Sequence, residues 1–349
     1  MTDLSDISVC PPIGPNRRTL IAAQMVSWLT SVPMHELASL YEVDLNRPAT
    51  LHDTLATLQP LIEKWDFRRA ALQAGTGQPD DRSELATGAA RWSVGTAGLS
   101  ERDEPVAMES LRDLGLWYGR QPRHTKYDLI VVLGGARLSG LLRAQLVRRQ
   151  VEQGYLQPAS VVLLGSTRPI TDGERDATNT YAPAAETELD LMVAGAEQEF
   201  GIDAATAVVE DHRDTQQPNL NWSIKRFAPV GVGPAREVVA VAAPSSAPRE
   251  RRANTADAYR FFVEHWRLAA QARLLLVTTQ HYVPYQHLEA VRNLALPYDI
   301  ELETVGVPVE WLNALQRPLG VAHLLQEVRS AVQAAGRLYQ QHLSGSASY

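Results

Sequence analysis

The sequence predicts an α/β protein: a doubly wound, mostly parallel Rossmann-like sheet preceded by a helical N-terminal extension. Three observations point there. Short, continuous runs of β-branched and apolar residues recur after position 126, as strands buried on both faces require. Segments of helical length separate these runs, which is the signature of βαβ units with right-handed crossovers. The first 72 residues instead carry apolar positions at helical spacing.

Along the N-terminal part, Leu20, Ile21, Met25, Trp28 and Leu29 share one helical face, and Leu51, Leu55, Leu58, Leu61 and Ile62 share another. Pro33 and the Asn46-Arg47-Pro48 turn punctuate them, with Ser31 and Thr50 as N-cap candidates. Residues 74–105 are rich in Gly, Ser, Asp and Pro and read as a long loop. A further helix is expected over 106–120. Strands follow at 127–133, 160–164, 206–209, 237–242 and 274–278, and the alternating segment 300–305 reads as a sixth strand at a sheet edge. Helices are expected at 138–153, 185–200 (closed by Gly201), from Asn219, at 256–270 and at 319–342. The domain division is therefore a helical region over 1–122, a Rossmann-like domain over 123–343 and a flexible tail over 344–349.

Composition removes several classes of function. With 45% hydrophobic and 21% charged residues the chain is not disordered, and at 349 residues it can bury a core without a disulfide or metal staple. A lone cysteine, Cys10, excludes a disulfide within the chain and any multi-thiolate metal site. The net charge of −7 gives no reason to expect nucleic acid or an anionic membrane as partner. No apolar run reaches the length of a membrane span, and the N-terminus lacks the basic-then-apolar order of a signal peptide. The expectation is a soluble, cytoplasmic protein whose partner is a small molecule, with a homodimer left open.

In an open α/β sheet ligands bind beyond the C-terminal ends of the strands, so the residues following each strand are the candidates. After the first strand come Gly134, Gly135 and Arg137; paired glycines let backbone approach a ligand, although a pair that only makes the turn competes with this reading. After the second come Ser166 and Thr167, two hydroxyls that equally suit a helix cap. After the third, Glu210, Asp211, His212, Thr215 and Asn219 form the densest polar cluster of the chain, with carboxylates able to accept ribose hydroxyls or work as general acid or base. After the fourth, Ser245, Ser246, Arg249 and Arg252 sit at a helix start and suit an anion, with Glu250, Asp257 and Glu264 as competing internal partners. After the fifth, Thr279 and His281 are placed to donate to a phosphate or carry a proton. Neither a dinucleotide GxGxxG, a P-loop, a GxSxG elbow nor an HExxH is present, and no metal is expected.

The order of these motifs (strand-Leu-Gly-Gly at 129–135, strand-Gly-Ser at 161–166, the acidic helix with Glu186, Glu188 and Met192, Val209-Glu210-Asp211 followed by Asp214-Thr215 and Asn219, then strand-Ser-Ser with Arg249 and Arg252) resembles the YdcF/SanA-like family of bacterial domains of unknown function. The resemblance spans about residues 126–285 and departs from the family pattern in its second glycine pair, in Asp214-Thr215 where the family has Asn-Thr, and in a His/Arg box split between 245–252 and 278–287. It implies a Rossmann-type sheet and a small-molecule pocket, with S-adenosylmethionine or another nucleotide as ligand. The functional expectation is a small-molecule enzyme of metal-independent group transfer or hydrolysis. In it Gly134, Gly135 and the 245–252 loop hold an anion, Glu210 or Asp211 the hydroxyls, and His281 the proton. The alternative is a non-catalytic metabolite-binding or regulatory protein using the same pocket.

Overall fold

The computed structural model describes residues 6–45, 50–67, 97–135, 137–228, 233–315 and 318–344. Its N-terminal part is helical, as the apolar spacing requires: α1 (Arg17–Leu29), α2 (Val32–Ser39), α3 (Leu51–Thr57), α4 (Gln59–Lys64) and α5 (Asp103–Leu111). Thr50 caps α3 by accepting from the Asp53 amide at 3.1 Å, whereas Ser31 heads α2 without a side-chain cap. The helix expected at 106–120 ends early, because after α5 the chain widens into a π-turn at Arg112–Leu116 that Gly115 closes with φ +84°. Residues 74–96 of the expected loop and 345–349 of the expected tail lie outside the described residues.

The body of the molecule is one seven-stranded sheet. Its elements run β1 (Leu129–Leu133), α6 (Ser139–Glu152), β2 (Ala159–Gly165), α7 (Asp172–Thr178), α8 (Glu188–Phe200), β3 (Val208–His212), β4 (Trp222–Phe227), β5 (Ala235–Ala242), α9 (Thr255–His265), β6 (Arg273–Thr279), α10 (Val283–Ala290), β7 (Glu301–Val307), α11 (Val309–Asn313) and α12 (Val321–Leu338). The strand order is β3-β4-β5-β2-β1-β6-β7. Five strands, β5-β2-β1-β6-β7, are mutually parallel, and β4 and β3 extend them antiparallel. Every residue of β1 is buried, as its Leu-Ile-Val-Val-Leu sequence demands of a central strand covered on both faces. The chain steps outward from β1 to β2, runs to the far edge at β3, returns through β4 to β5, then crosses to β6 on the other side of β1. This is a doubly wound, Rossmann-like α/β fold with N-terminal helices. The main core runs from Met25 and Leu37 in the N-terminal helices through the sheet to Leu324, Val328 and Ala335 on α12, and a small second cluster joins Ile170, Ala182, Ala185 and Leu191.

β7 stands last in the order, as its alternating sequence predicts, yet it is buried. The segment 8–10 lies along its outer edge: Cys10 N–H donates to Leu302 O at 2.9 Å and Thr304 N–H to Ser8 O at 2.8 Å. Beneath this strap, Glu303 accepts from Arg120, from the Arg123 amide and from the Tyr127 hydroxyl, so its buried charge is compensated. His287 packs beside them, with Nδ1 2.9 Å from Thr304 Oγ1.

At the opposite edge the structure corrects the sequence reading. β3 was expected over 206–209 as a buried strand; it occupies Val208–His212, and all five of its residues are exposed. The helix expected from Asn219 is one 3-10 turn, Pro218–Leu220, followed by β4, which the sequence reading did not anticipate. Between β2 and α8 the chain forms α7, closed at its start by a reciprocal capping box of Thr171 and Glu174.

Candidate functional site

The parallel strands end at one rim, and there the fold leaves a pocket of about 520 Å³, within the range of small-molecule sites. Its base is the Gly134-Gly135 turn after β1 beside Gly165 and Ser166 at the end of β2. Arg168 and Glu188 make one wall, residues 250–255 and the first turns of α9 another, and Tyr285 and Gln286 at the start of α10 close the side toward β6. The pocket thus sits where the strand order reverses about β1, the position the doubly wound topology favours.

The two glycines are required by close packing. A Cβ on Gly134 would meet Glu188 Oε1 and lie 2.7 Å from Leu164 O, and one on Gly135 would lie 2.8 Å from Ser139 Cβ and 2.9 Å from an Arg143 nitrogen. Arg143 on α6 is fully buried and fastens the turn: Nη1 donates to Leu133 O and Gly134 O, both at 2.6 Å, and Nη2 to Thr279 Oγ1 at 2.9 Å. One guanidinium therefore ties the end of β1 to the end of β6. Arg137 takes φ +53°, a left-handed conformation costly for a residue with a Cβ, so the post-β1 loop holds strain of the kind that gathers at ligand sites.

The wall opposite rests on Arg168, 6% exposed in its side chain. Its terminal nitrogens donate to both oxygens of Glu174 at 2.7 Å each, and its Nε donates to Glu188 Oε2, also at 2.7 Å. Burial works against the charged guanidinium, but the Glu188 and Glu174 carboxylates outweigh it and hold its pKa above the ordinary value. Burial likewise opposes the Glu174 charge, and Arg168 with the Thr171 amide and hydroxyl overcomes it, leaving the carboxyl below its usual range.

The 245–255 loop arranges its arginines around α9. Arg251 Nη1 lies 2.5 Å from Asp257 Oδ2 and its Nη2 donates to Ser246 Oγ at 2.8 Å. Asp257 also accepts from the Asn254 amide at 3.0 Å while Asn254 Oδ1 accepts from the Asp257 amide at 3.1 Å. The first turn of α9 is thereby capped from within, and the competing partner that the sequence offered for these arginines, Asp257, is the one Arg251 takes.

Of the residues proposed from sequence, Gly134, Gly135, Ser166 and Arg252 line the pocket. Arg137, Thr167 and Ser245 adjoin it without lining it; Ser245 is buried, its amide donating to Asn219 O at 2.8 Å. Asn219 itself donates to Pro248 O at 2.8 Å and so props the loop. Thr279 serves Arg143, while Ser246 and Arg249 are exposed. His281 is buried in a 3-10 turn against the Tyr282 ring, and is not among the pocket's lining residues. The acidic cluster is the main correction. Glu210, Asp211, His212 and Thr215 are exposed on or just after β3, which is three strands from β2, about 14 Å at the usual strand spacing. Glu210 lies 3.6 Å from Arg226, and Asp211 accepts from Arg213 at 2.9 Å. These carboxylates reach the same rim of the sheet but not the pocket, because β4 and β5 intervene.

The sequence reading left Arg168, Tyr259, Tyr285 and Gln286 out of the site, and noted Glu188 and Glu250 without assigning them to it. Glu188 heads α8, 22 positions after Ser166 and beyond α7, a separation across which no local motif links the two. Tyr259 follows the arginine loop by one helical turn and reads in sequence as core. Among the described residues no group of three or more His, Cys, Asp and Glu side chains is placed to hold a metal ion, and no helix is long and apolar enough to cross a membrane.

Comparison with known proteins overturns the resemblance to YdcF/SanA-like domains. The family model that matches is the Rv3785 N-terminal domain, over residues 13–115, within the helical part of the chain. The motifs behind the earlier resemblance, Gly-Gly and Gly-Ser at strand ends, are what any doubly wound sheet needs where helices pack close to strand termini. Uncharacterized proteins of Mycobacterium tuberculosis (Rv3785) and Mycobacterium bovis (Mb3814) are each 32% identical to the chain over 347 residues, covering 97% of it and 95% of their own length. No solved structure matches. At that identity over nearly the full length of both partners, the chain belongs to the Rv3785 family.

Proposed function

We propose that this chain binds a nucleotide-like or otherwise anionic small molecule, S-adenosylmethionine among the candidates, in the pocket at the C-terminal ends of β1 and β2. The carrying observation is the convergence on one cavity of the glycine turn after β1, the Ser166 turn after β2 and the Arg251-Arg252 loop after β5. Backbone close to the cavity, a capped helix start and guanidinium groups on its rim together suit an anion and the polar body attached to it. The geometry favours binding over the catalytic roles read from sequence, since Glu210, Asp211 and His281 are not among the lining residues. Metal-independent group transfer or hydrolysis is the second reading. It is supported by the two carboxylates that do line the cavity, Glu188 and Glu250, either of which would have to be the acid or base.

A thermal-shift series with adenosine monophosphate, S-adenosylmethionine and glucose 6-phosphate tests the proposal. A ligand at a hundred times its Kd adds about 2.7 kcal/mol to stability and raises Tm accordingly. A flat response to all three probes refutes the nucleotide-like or anionic ligand.

A further inference from the structure

The wall formed by Glu188 says more about the ligand than the size of the cavity does. Arg168 is one guanidinium between two carboxylates, Glu174 and Glu188, so the wall carries an excess negative charge in a largely buried position. Glu188 commits only Oε2 to the protein, accepting from Arg168 Nε at 2.7 Å and from Ser166 Oγ at 3.3 Å. Its Oε1 accepts no hydrogen bond among the described residues and lies against Gly134 at the base of the cavity. Across the cavity, Arg251 pairs with Asp257, and Arg252, also on the lining, belongs to the loop on the side away from Glu188 where an anionic group would lie. A carboxylate oxygen with no protein donor, open to a cavity, favours a cationic or strongly donating partner there.

A second observation points to missing contents. Tyr259 lines the same cavity and is fully buried, yet its hydroxyl has no hydrogen-bond partner among the described residues; the buried Oε1 of Gln286, also on the lining, is in the same state. Buried polar atoms are normally satisfied, and two orphans beside one cavity mark it as a place where something else supplies the partners.

We infer that the ligand is zwitterionic: a protonated amine donates to Glu188 Oε1, and the anionic part lies toward the 251–255 loop. The inference rests on the proposed binding function and names the ligand class for that site. Glu188 is then the specificity-determining residue, and Arg168 and Ser166 position it by holding its other oxygen.

Isothermal titration with three probes tests this: 5′-amino-5′-deoxyadenosine, adenosine, and adenosine monophosphate. The first two differ only by a protonated amine in place of a hydroxyl. The wild-type protein should bind the amine about tenfold or more tightly than adenosine, the range a charge-assisted hydrogen bond provides. Glu188→Gln, which keeps an acceptor for Arg168 but removes the charge, should abolish that preference, read as the ratio of amine to adenosine affinity within the variant. Equal wild-type affinities for amine and adenosine would overturn the inference and leave the binding function standing. An equal loss of all three probes in Glu188→Gln would also overturn it, since the residue would then only shape the cavity. Failure of the wild-type protein to bind any of the three would overturn the binding function and the inference with it. Because the wild-type comparison needs no variant, a Glu188→Gln protein that fails to fold leaves the question decidable.

Discussion

Replacing Arg168 by methionine is the most demanding test of how the pocket wall is built. Methionine keeps much of the length and packing of the side chain while deleting the guanidinium. Three hydrogen bonds at 2.7 Å to two carboxylates disappear together, and Glu174, 4% exposed, is left without its countercharge. Breaking a buried ion pair by removing one partner costs about 3–5 kcal/mol, because the orphaned charge cannot be rehydrated in place. Urea unfolding followed by tryptophan fluorescence should show a loss of that size, read as a shift in midpoint at unchanged slope. Combining Arg168→Met with Glu174→Gln should recover part of the loss, since the second change removes the stranded charge. A single-variant loss below about 1 kcal/mol, the value expected for a solvent-screened surface pair, would refute a buried wall that holds Glu188 in place.

Further outcomes follow from the same geometry. Gly134→Ala places a Cβ against Glu188 Oε1 and Leu164 O; it should cost about 1–3 kcal/mol in stability and weaken every pocket ligand, measured by unfolding and titration in parallel. Burial lowers the His287 pKa to about 3, whereas the unfolded chain protonates near 6.5. Unfolding therefore takes up a proton at this site between those values: stability is unaffected by His287 above pH 6.5 and falls as the pH drops toward 3, at up to about 1.4 kcal/mol per pH unit. His287→Gln should flatten that slope in unfolding curves collected from pH 7 to 4, and an unchanged slope would show that other groups set it. On the exposed strand β3, Glu210→Ala and Asp211→Ala should change ligand affinity by less than about twofold, and a larger loss would return the acidic cluster to the site.

The central parallel strands β1 and β6 were legible because each is written in one uninterrupted alphabet. Leu129-Ile130-Val131-Val132-Leu133 and Leu274-Leu275-Leu276-Val277 can be read only as segments buried on both faces. β4 was not legible, since Trp-Ser-Ile-Lys-Arg-Phe mixes charge with apolar residues and gains its strand form from pairing with β5. That omission moved the acidic cluster: with β4 absent from the reckoning, β3 passes for a core strand and its C-terminal carboxylates for pocket residues. The glycine turn, Ser166 and Arg252 were found because strand ends carry ligands in this topology. Arg168 and Glu188 were not assigned to the site, because the ion pair that builds the wall joins residues twenty positions apart across α7. Tyr259 and Gln286 face the cavity from helices whose sequences look like ordinary packing surfaces, so only the assembled fold shows them there.

The central claim is that ligand meets protein at the ends of β1 and β2. Amide hydrogen exchange with and without adenosine monophosphate measures this directly. Protection should appear in peptides covering 133–135, 164–168 and 250–259 and leave 208–216 unchanged. Protection over 208–216 with none at the glycine turn, or no protection anywhere, would contradict the assignment of the pocket.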